Sequence, residues 1–130
     1  MRVPAAVVIR RSGLNTGDFD ATDVWLRAMP EWMRATLGSS VDAITLANTI
    51  YVSEELFDAV VSGENTRLLL HELVHVGQWR REGRLVFLGR YVGEYLCNRV
   101  LGLDHATAYR AISFEAVAFD VVERATREAA

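Results

Sequence analysis

A chain of 130 residues that is 51% hydrophobic and 24% charged has the length and composition of one globular domain, residues 1–130. Its formal net charge of −3, with no basic stripe or aromatic platform, excludes the electrostatic footprint of a nucleic-acid partner. All of the basic residues are arginine, which bears on neither fold nor substrate.

The first apolar run, Pro4 to Ile9, is followed at once by Arg10 and Arg11 and is too short for a secretory core or a membrane span. The protein therefore reads as cytoplasmic when synthesised and without a membrane partner, with export by a dedicated machine left open. Val3 to Ile9 is expected as a strand and Ser12 to Asp20 as a turn-rich loop. Asp18, Asp20 and Asp23 lack the glycine and terminal glutamate of a calcium loop and read as caps and a solvated turn. Helical patterning then runs from about Ala21 to Leu37, with Pro30 as a kink or as the first residue of a second helix, and Gly38 ends it. Val41 to Ser53 alternates and is rich in β-branched residues, which predicts a hairpin turning at Ala47-Asn48. Such a hairpin can be the sheet on which the next helix packs, an edge onto which an extended peptide adds, or both.

From Glu64 to Arg81 there is no Gly or Pro except Gly77, and Leu68, Leu69, Leu70, Leu73, Val74, Val76 and Trp79 cover most of the circumference of a buried helix. Within it, His71-Glu72-Leu73-Val74-His75 has the spacing HExxH. Residues at i and i+4 share a helix face, so both imidazoles can reach one tetrahedral Zn2+ at roughly 2.0–2.1 Å. Glu72 projects from the same turn, where it can act as general base toward a metal-bound water without being a ligand. Two buried histidines without partners are costly, which favours the metal reading over a capped or exposed pair. Gln78 lies on the histidine face, either to bind substrate backbone or to buttress a loop.

Gly83 stops this helix, Leu85 to Leu101 forms another, and Asp104 to Ile112 is a short helix or turn. Ser113 caps a final helix from Phe114 to about Arg127. Cys97, the only cysteine, excludes a disulfide framework and a thiolate cluster and is expected as a small core residue beside Tyr95, Leu96 and Val100.

A catalytic zinc needs a third protein ligand and keeps its fourth position for water. Gln78 and Arg81 stand where the extended form HExxHxxGxxH requires Gly and His, so a carboxylate must serve. Glu94, eighteen intervening residues beyond His75, has an attractive spacing but also an ordinary role as an exposed helix carboxylate near Arg90 and Arg99. His105 and Tyr109 are candidate proton donors to the oxyanion formed when water attacks a peptide carbonyl.

The segments LLLHELVHVGQW, RREGRLVFLGRY and YRAISFEAVAF resemble a widespread bacterial family of small metallopeptidase domains found in effectors associated with contractile injection systems and in other proteins. The resemblance reaches back to VDAITLANTIYVS and so spans about residues 38 to 120. In that family a Tyr, an Arg and a Pro-containing turn precede a Glu with Ala three residues on; Glu115 and Ala118 match, and Ser113 stands where proline is common. The resemblance implies a glutamate zincin (HExxH...E) with Glu115 as the third ligand. Its position in the first turn of the final helix, followed only by Ala116, Val117 and Ala118, leaves room for close packing. Such enzymes often carry an Asp four residues after that Glu to orient a zinc-bound histidine, whereas here Asp120 follows at five.

The expected architecture is α+β and minimally zincin-like: a small sheet with a hairpin packed on the HExxH helix, and a helical C-terminal part. The expected function is a zinc-dependent metallopeptidase in which His71, His75 and Glu115 hold Zn2+ and Glu72 is the general base, acting on a peptide or protein substrate. The competing class is a non-catalytic zinc-binding effector or scaffold module that acts through protein partners.

Overall fold

The Val3–Ile9 segment divides at Pro4 instead of forming one strand. In the computed structural model, which describes residues 2–129, strand β1 spans Arg2–Pro4 and helix α1 spans Ala5–Ser12. The β-branched run Val7-Val8-Ile9 has strand propensity, but Ala5 and Val8, about one helical turn apart, are both fully buried. Burial of that helix face, worth about 1.5–3 kcal/mol for a valine, outweighs propensity differences of about 1 kcal/mol or less.

A second departure lies between Ala21 and Leu37. The expected helical stretch contains strand β2 (Trp25–Ala28) and only then helix α2 (Glu31–Leu37), with Pro30 in extended geometry just before the first helical residue. β2 pairs in parallel with β4 (Thr49–Val52), placing Leu26 against Ile50, both fully buried. A pairing between residues so far apart leaves no trace in local periodicity.

The hairpin forms as the alternation predicts. β3 (Ala43–Leu46) and β4 run antiparallel with Leu46 opposite Thr49, and Ala47 at the turn takes a positive φ of 58°. The sheet order β1-β2-β4-β3 makes β3 an edge strand. Helix α3 (Glu54–Val61), for which the sequence pattern sets no expectation, follows directly and packs on β2.

The HExxH helix, α4 (Thr66–Glu82), is capped by Asn65, whose side-chain oxygen accepts the Leu68 amide at 3.2 Å. Leu69, Leu73 and Val76 enter the main core with Leu26, Ile50 and Val52 of the sheet. Its C-terminal end packs with α5 (Arg84–Val100) and α7 (Ser113–Ala129), and α6 (His105–Arg110) joins those two. A second cluster knits this half together: the Phe87 ring stacks on Trp79 at 4.4 Å and on Phe114 at 4.6 Å, one aromatic from each of α5, α4 and α7.

The architecture is therefore α+β, with a small mixed sheet, a hairpin against the HExxH helix and a helical C-terminal part. Cys97 is exposed rather than in the core, because α5 buries only Phe87 and turns the cysteine outward. Asp20 has the expected turn role, its carboxylate accepting the Thr22 amide at 2.9 Å. Among the described residues no helix is long and apolar enough to cross a membrane.

Candidate metal centre

One turn of α4 carries His71, Glu72 and His75 into the interior, all buried, with ligating atoms within 4.8 Å of one another. That grouping could hold a metal ion. Glu115 also reaches the imidazoles. From the first turn of α7, only 3% exposed, its Oε1 stands 2.9 Å from His71 Nε2 and 3.0 Å from His75 Nε2. Three donor atoms thus converge on one point, from two helices packed side by side.

The protons at this point are constrained by Gln78, which is buried beneath the histidines. Its Nε2 donates to the Phe114 carbonyl at 3.0 Å, which turns its Oε1 toward His75 Nδ1 at 2.8 Å. A carbonyl oxygen only accepts, so His75 must carry a proton on Nδ1. In the neutral ring Nε2 is then a bare lone pair, and it faces a carboxylate oxygen. Two acceptors at 3.0 Å require a cation between them or a shared proton, carried by the ring or by the carboxyl. Tetrahedral zinc with bonds of about 2.05 Å separates its ligands by about 3.3 Å. The observed separations fall a few tenths of an ångström short, so a slight opening admits the ion, and an N, N, O donor set suits it.

Without a cation, electrostatics hold the cluster together. Burial alone would depress the His75 imidazolium, but the hydrogen bond and charge of Glu115 reverse this and raise its pKa above the usual 6.5. Burial likewise works to raise Glu115, and the bonds from His71 and His75 override it, holding the carboxyl far below its usual range. Tyr91 of α5 donates to Glu115 Oε2 at 2.5 Å, and burial followed by the Glu115 charge pushes its phenol well above the ordinary value. Tyr109 of α6 responds in the same direction for the same causes.

Glu72 is held apart from this group. The Thr45 hydroxyl of edge strand β3 lies 3.0 Å from Glu72 Oε1 and 3.3 Å from the Glu72 carbonyl. Burial raises the Glu72 pKa, partly offset by His75 and His71. A buried carboxylate oriented by one hydroxyl, beside two imidazoles but not bonded to them, is placed to handle protons.

The other sequence candidates have different work. Glu94 does not reach the histidines: it accepts the Ser113 amide at 2.8 Å and the Ser113 hydroxyl at 3.0 Å, capping α7 from a neighbouring helix. Asp120 is exposed and pairs with Arg124 at 3.0 Å. The position four residues after Glu115 is Phe119, whose ring meets His71 edge-on at 4.6 Å. His105 is exposed, its Nδ1 2.8 Å from the Tyr95 hydroxyl. Thr45 and Tyr91 were not singled out from sequence. Thr45 could have been found as the hydroxyl on the inward-facing side of β3, and Tyr91 as an aromatic one turn beyond Phe87 on the same helix side.

No curated protein and no solved structure is significantly similar to this chain. Residues 8–83 match the family described as the eCIS core domain, from within α1 to the end of α4. The match begins well before residue 38 and includes His71, Glu72 and His75, but it ends ahead of α5 and does not reach Glu115. With more than half of its length matched, including the whole sheet from β2 onward and the histidine helix, the chain belongs to the eCIS core domain family, which links it to extracellular contractile injection systems.

Proposed function

We propose that the protein is a zinc-dependent peptidase of the glutamate-zincin type, with His71, His75 and Glu115 as ligands and Glu72 as general base. The observation that supports this most is the convergence of both Nε2 atoms on Glu115 Oε1 while a second carboxylate, Glu72, is kept beside them by Thr45. A purely structural site has no use for that second carboxylate.

Zinc, when bound, supplies Lewis acidity toward a peptide carbonyl and lowers the pKa of water toward about 7. The chain's own residues supply the rest. Gln78 keeps the His75 lone pair aimed inward, and Tyr91 fixes the rotamer of Glu115. Glu72, with Oε1 held by Thr45, accepts a proton from the attacking water and returns it to the leaving amine. An extended substrate peptide fits the edge of β3, which packs directly on α4, through main-chain hydrogen bonds.

The burial of His71, Glu72, His75 and Glu115 favours a second reading, a zinc-holding module that acts through protein partners. Metal analysis combined with a proteome-derived peptide-cleavage assay separates the two. Wild type and Glu72→Gln should each hold about one zinc, and hydrolysis should fall by about 10² or more in the variant, the loss expected when acid–base catalysis is removed. A wild type that binds zinc and cleaves no peptide in a diverse library leaves the module reading.

A further inference from the structure

Helix α5 buries a single residue, Phe87, and presents the opposite side to solvent. On that side Leu85 is 88% and Val100 86% exposed, with Val86, Val92 and Leu96 each more than half exposed. Scattered exposed apolar residues are ordinary, but the large ones of this protein are concentrated between Leu85 and Leu101. At about 100° per residue Leu85, Gly89, Val92, Gly93, Leu96 and Val100 form one stripe; Arg90 and Glu94 fall outside it, and Arg99 lies on its flank between Leu88 and Val92. The exposed area of the large apolar residues from Leu85 to Leu101 comes to roughly 700 Å2, more than the ~300–600 Å2 of a typical monomer's largest patch and close to the ~800 Å2 per partner of a stable interface.

The glycines on this stripe point the same way. Glycine is the poorest helix former after proline, so a glycine inside a helix needs a reason. Gly77 in α4 lies against neighbours, where a Cβ would make an ordinary contact with the Phe19 ring at 3.9 Å. Gly89 and Gly93 have none within the fold: a Cβ on either would meet nothing within 4 Å.

We propose that this face forms a homodimer, with α5 packed antiparallel on α5 of a second copy about a twofold axis between Val92 and Gly93. A twofold interface needs a surface that complements itself, residue i facing j and j facing i. Antiparallel superposition about that point sets Leu85 against Val100, Gly89 against Leu96, and Val92 against Gly93. Bulky side chains therefore meet glycines, and the two backbones can approach closely.

Sedimentation equilibrium of the intact protein from micromolar to hundreds of micromolar should show a monomer–dimer equilibrium. Leu96→Glu, an exposed position, should weaken dimerisation at least tenfold while leaving the circular dichroism spectrum unchanged. Mild oxidation tests the geometry. In a Cys97→Ser background, Gly93→Cys lies at the axis and should cross-link two copies, whereas Cys97 in the native protein stands roughly 13 Å along the helix from its counterpart and should not. A monomer at every concentration, a dimer indifferent to Leu96→Glu, cross-linking through native Cys97 but not through residue 93, or Leu96-dependent binding of anionic vesicles by a monomer would each overturn the proposal.

Discussion

Gln78 ties His75 to the backbone that immediately precedes Glu115: its oxygen stands 2.8 Å from His75 Nδ1 and its nitrogen 3.0 Å from the Phe114 carbonyl. One buried amide thereby sets both the tautomer of a histidine on α4 and the register of a carboxylate on α7. Gln78→Leu keeps the volume and removes both bonds. Zinc affinity should fall about 10–100-fold by chelator competition, the usual cost of losing such an orienting partner. Unchanged affinity would mean that the tautomer is fixed elsewhere.

The two carboxylates proposed from sequence should separate cleanly. Glu115→Ala should abolish stoichiometric zinc, as should His71→Ala or His75→Ala. Glu94→Ala should retain the metal and lose about 1 kcal/mol of stability, the cost of uncapping a helix, because it leaves the Ser113 amide without its acceptor. Metal analysis and thermal denaturation read the two effects independently. Zinc loss in Glu94→Ala with retention in Glu115→Ala would move the third ligand to α5.

The metal-free protein should have its own pH optimum. Glu115 has a depressed folded pKa, so its contribution is complete above the ordinary carboxyl value of 4.5 and is lost as pH falls through the folded value. His75 has a raised folded pKa, so its contribution is complete below 6.5 and is lost as pH rises through the folded value. Both are present between 4.5 and 6.5. Glu72, whose folded pKa is raised by burial, works the other way as pH climbs above 4.5, so urea denaturation in chelator should show greatest stability toward the acid side of that window. With zinc present the optimum should move upward, since a metal competes with protons for the imidazoles. Identical profiles with and without zinc would show that the metal does not use these rings.

Thr45→Val is nearly isosteric and removes the hydroxyl that orients Glu72. Zinc content should persist. Peptide hydrolysis should fall about 10–100-fold, in keeping with the loss of a hydrogen bond to a charged group. Removing a bond that lowers the Glu72 pKa should also shift the acid limb of the rate profile to higher pH. An unshifted limb would mean that another group titrates there.

Much of the site and the C-terminal half could be read from the sequence because the signals are local. HExxH specifies its own helix face, Gly83 bounds its helix, and the 41–53 alternation with Ala47-Asn48 specifies a hairpin; Ser113, expected as a cap, is instead the first residue of α7, and its amide and hydroxyl both donate to Glu94. The N-terminal third departs from its local pattern because its structure is set at a distance. Val7-Val8-Ile9 has strand character in isolation and becomes helix because Ala5 and Val8 have a core to enter. Trp25–Ala28 lies in a helical pattern and becomes strand because β4 offers a parallel partner. Cys97 has the apolar neighbours of a core residue, but on α5 those neighbours are themselves largely outside. Gln78 and Tyr91 act through contacts with Phe114 and Glu115, more than twenty residues away, that no spacing rule announces.

The forty-residue separation between His75 and Glu115 gives the centre a mechanical meaning as well as a chemical one. An ion held by both would clip the ends of a closed loop containing α5, α6 and the start of α7, and closing a loop of that length in an unfolded chain costs about 4 kcal/mol in the chain-entropy model for cross-links. Loaded protein should then unfold as one cooperative unit. Stripped of the ion, the segment beyond Gly83 is tethered by side-chain packing and the imidazole–carboxylate bonds alone, and it becomes free to open as a separate foldon ahead of the sheet.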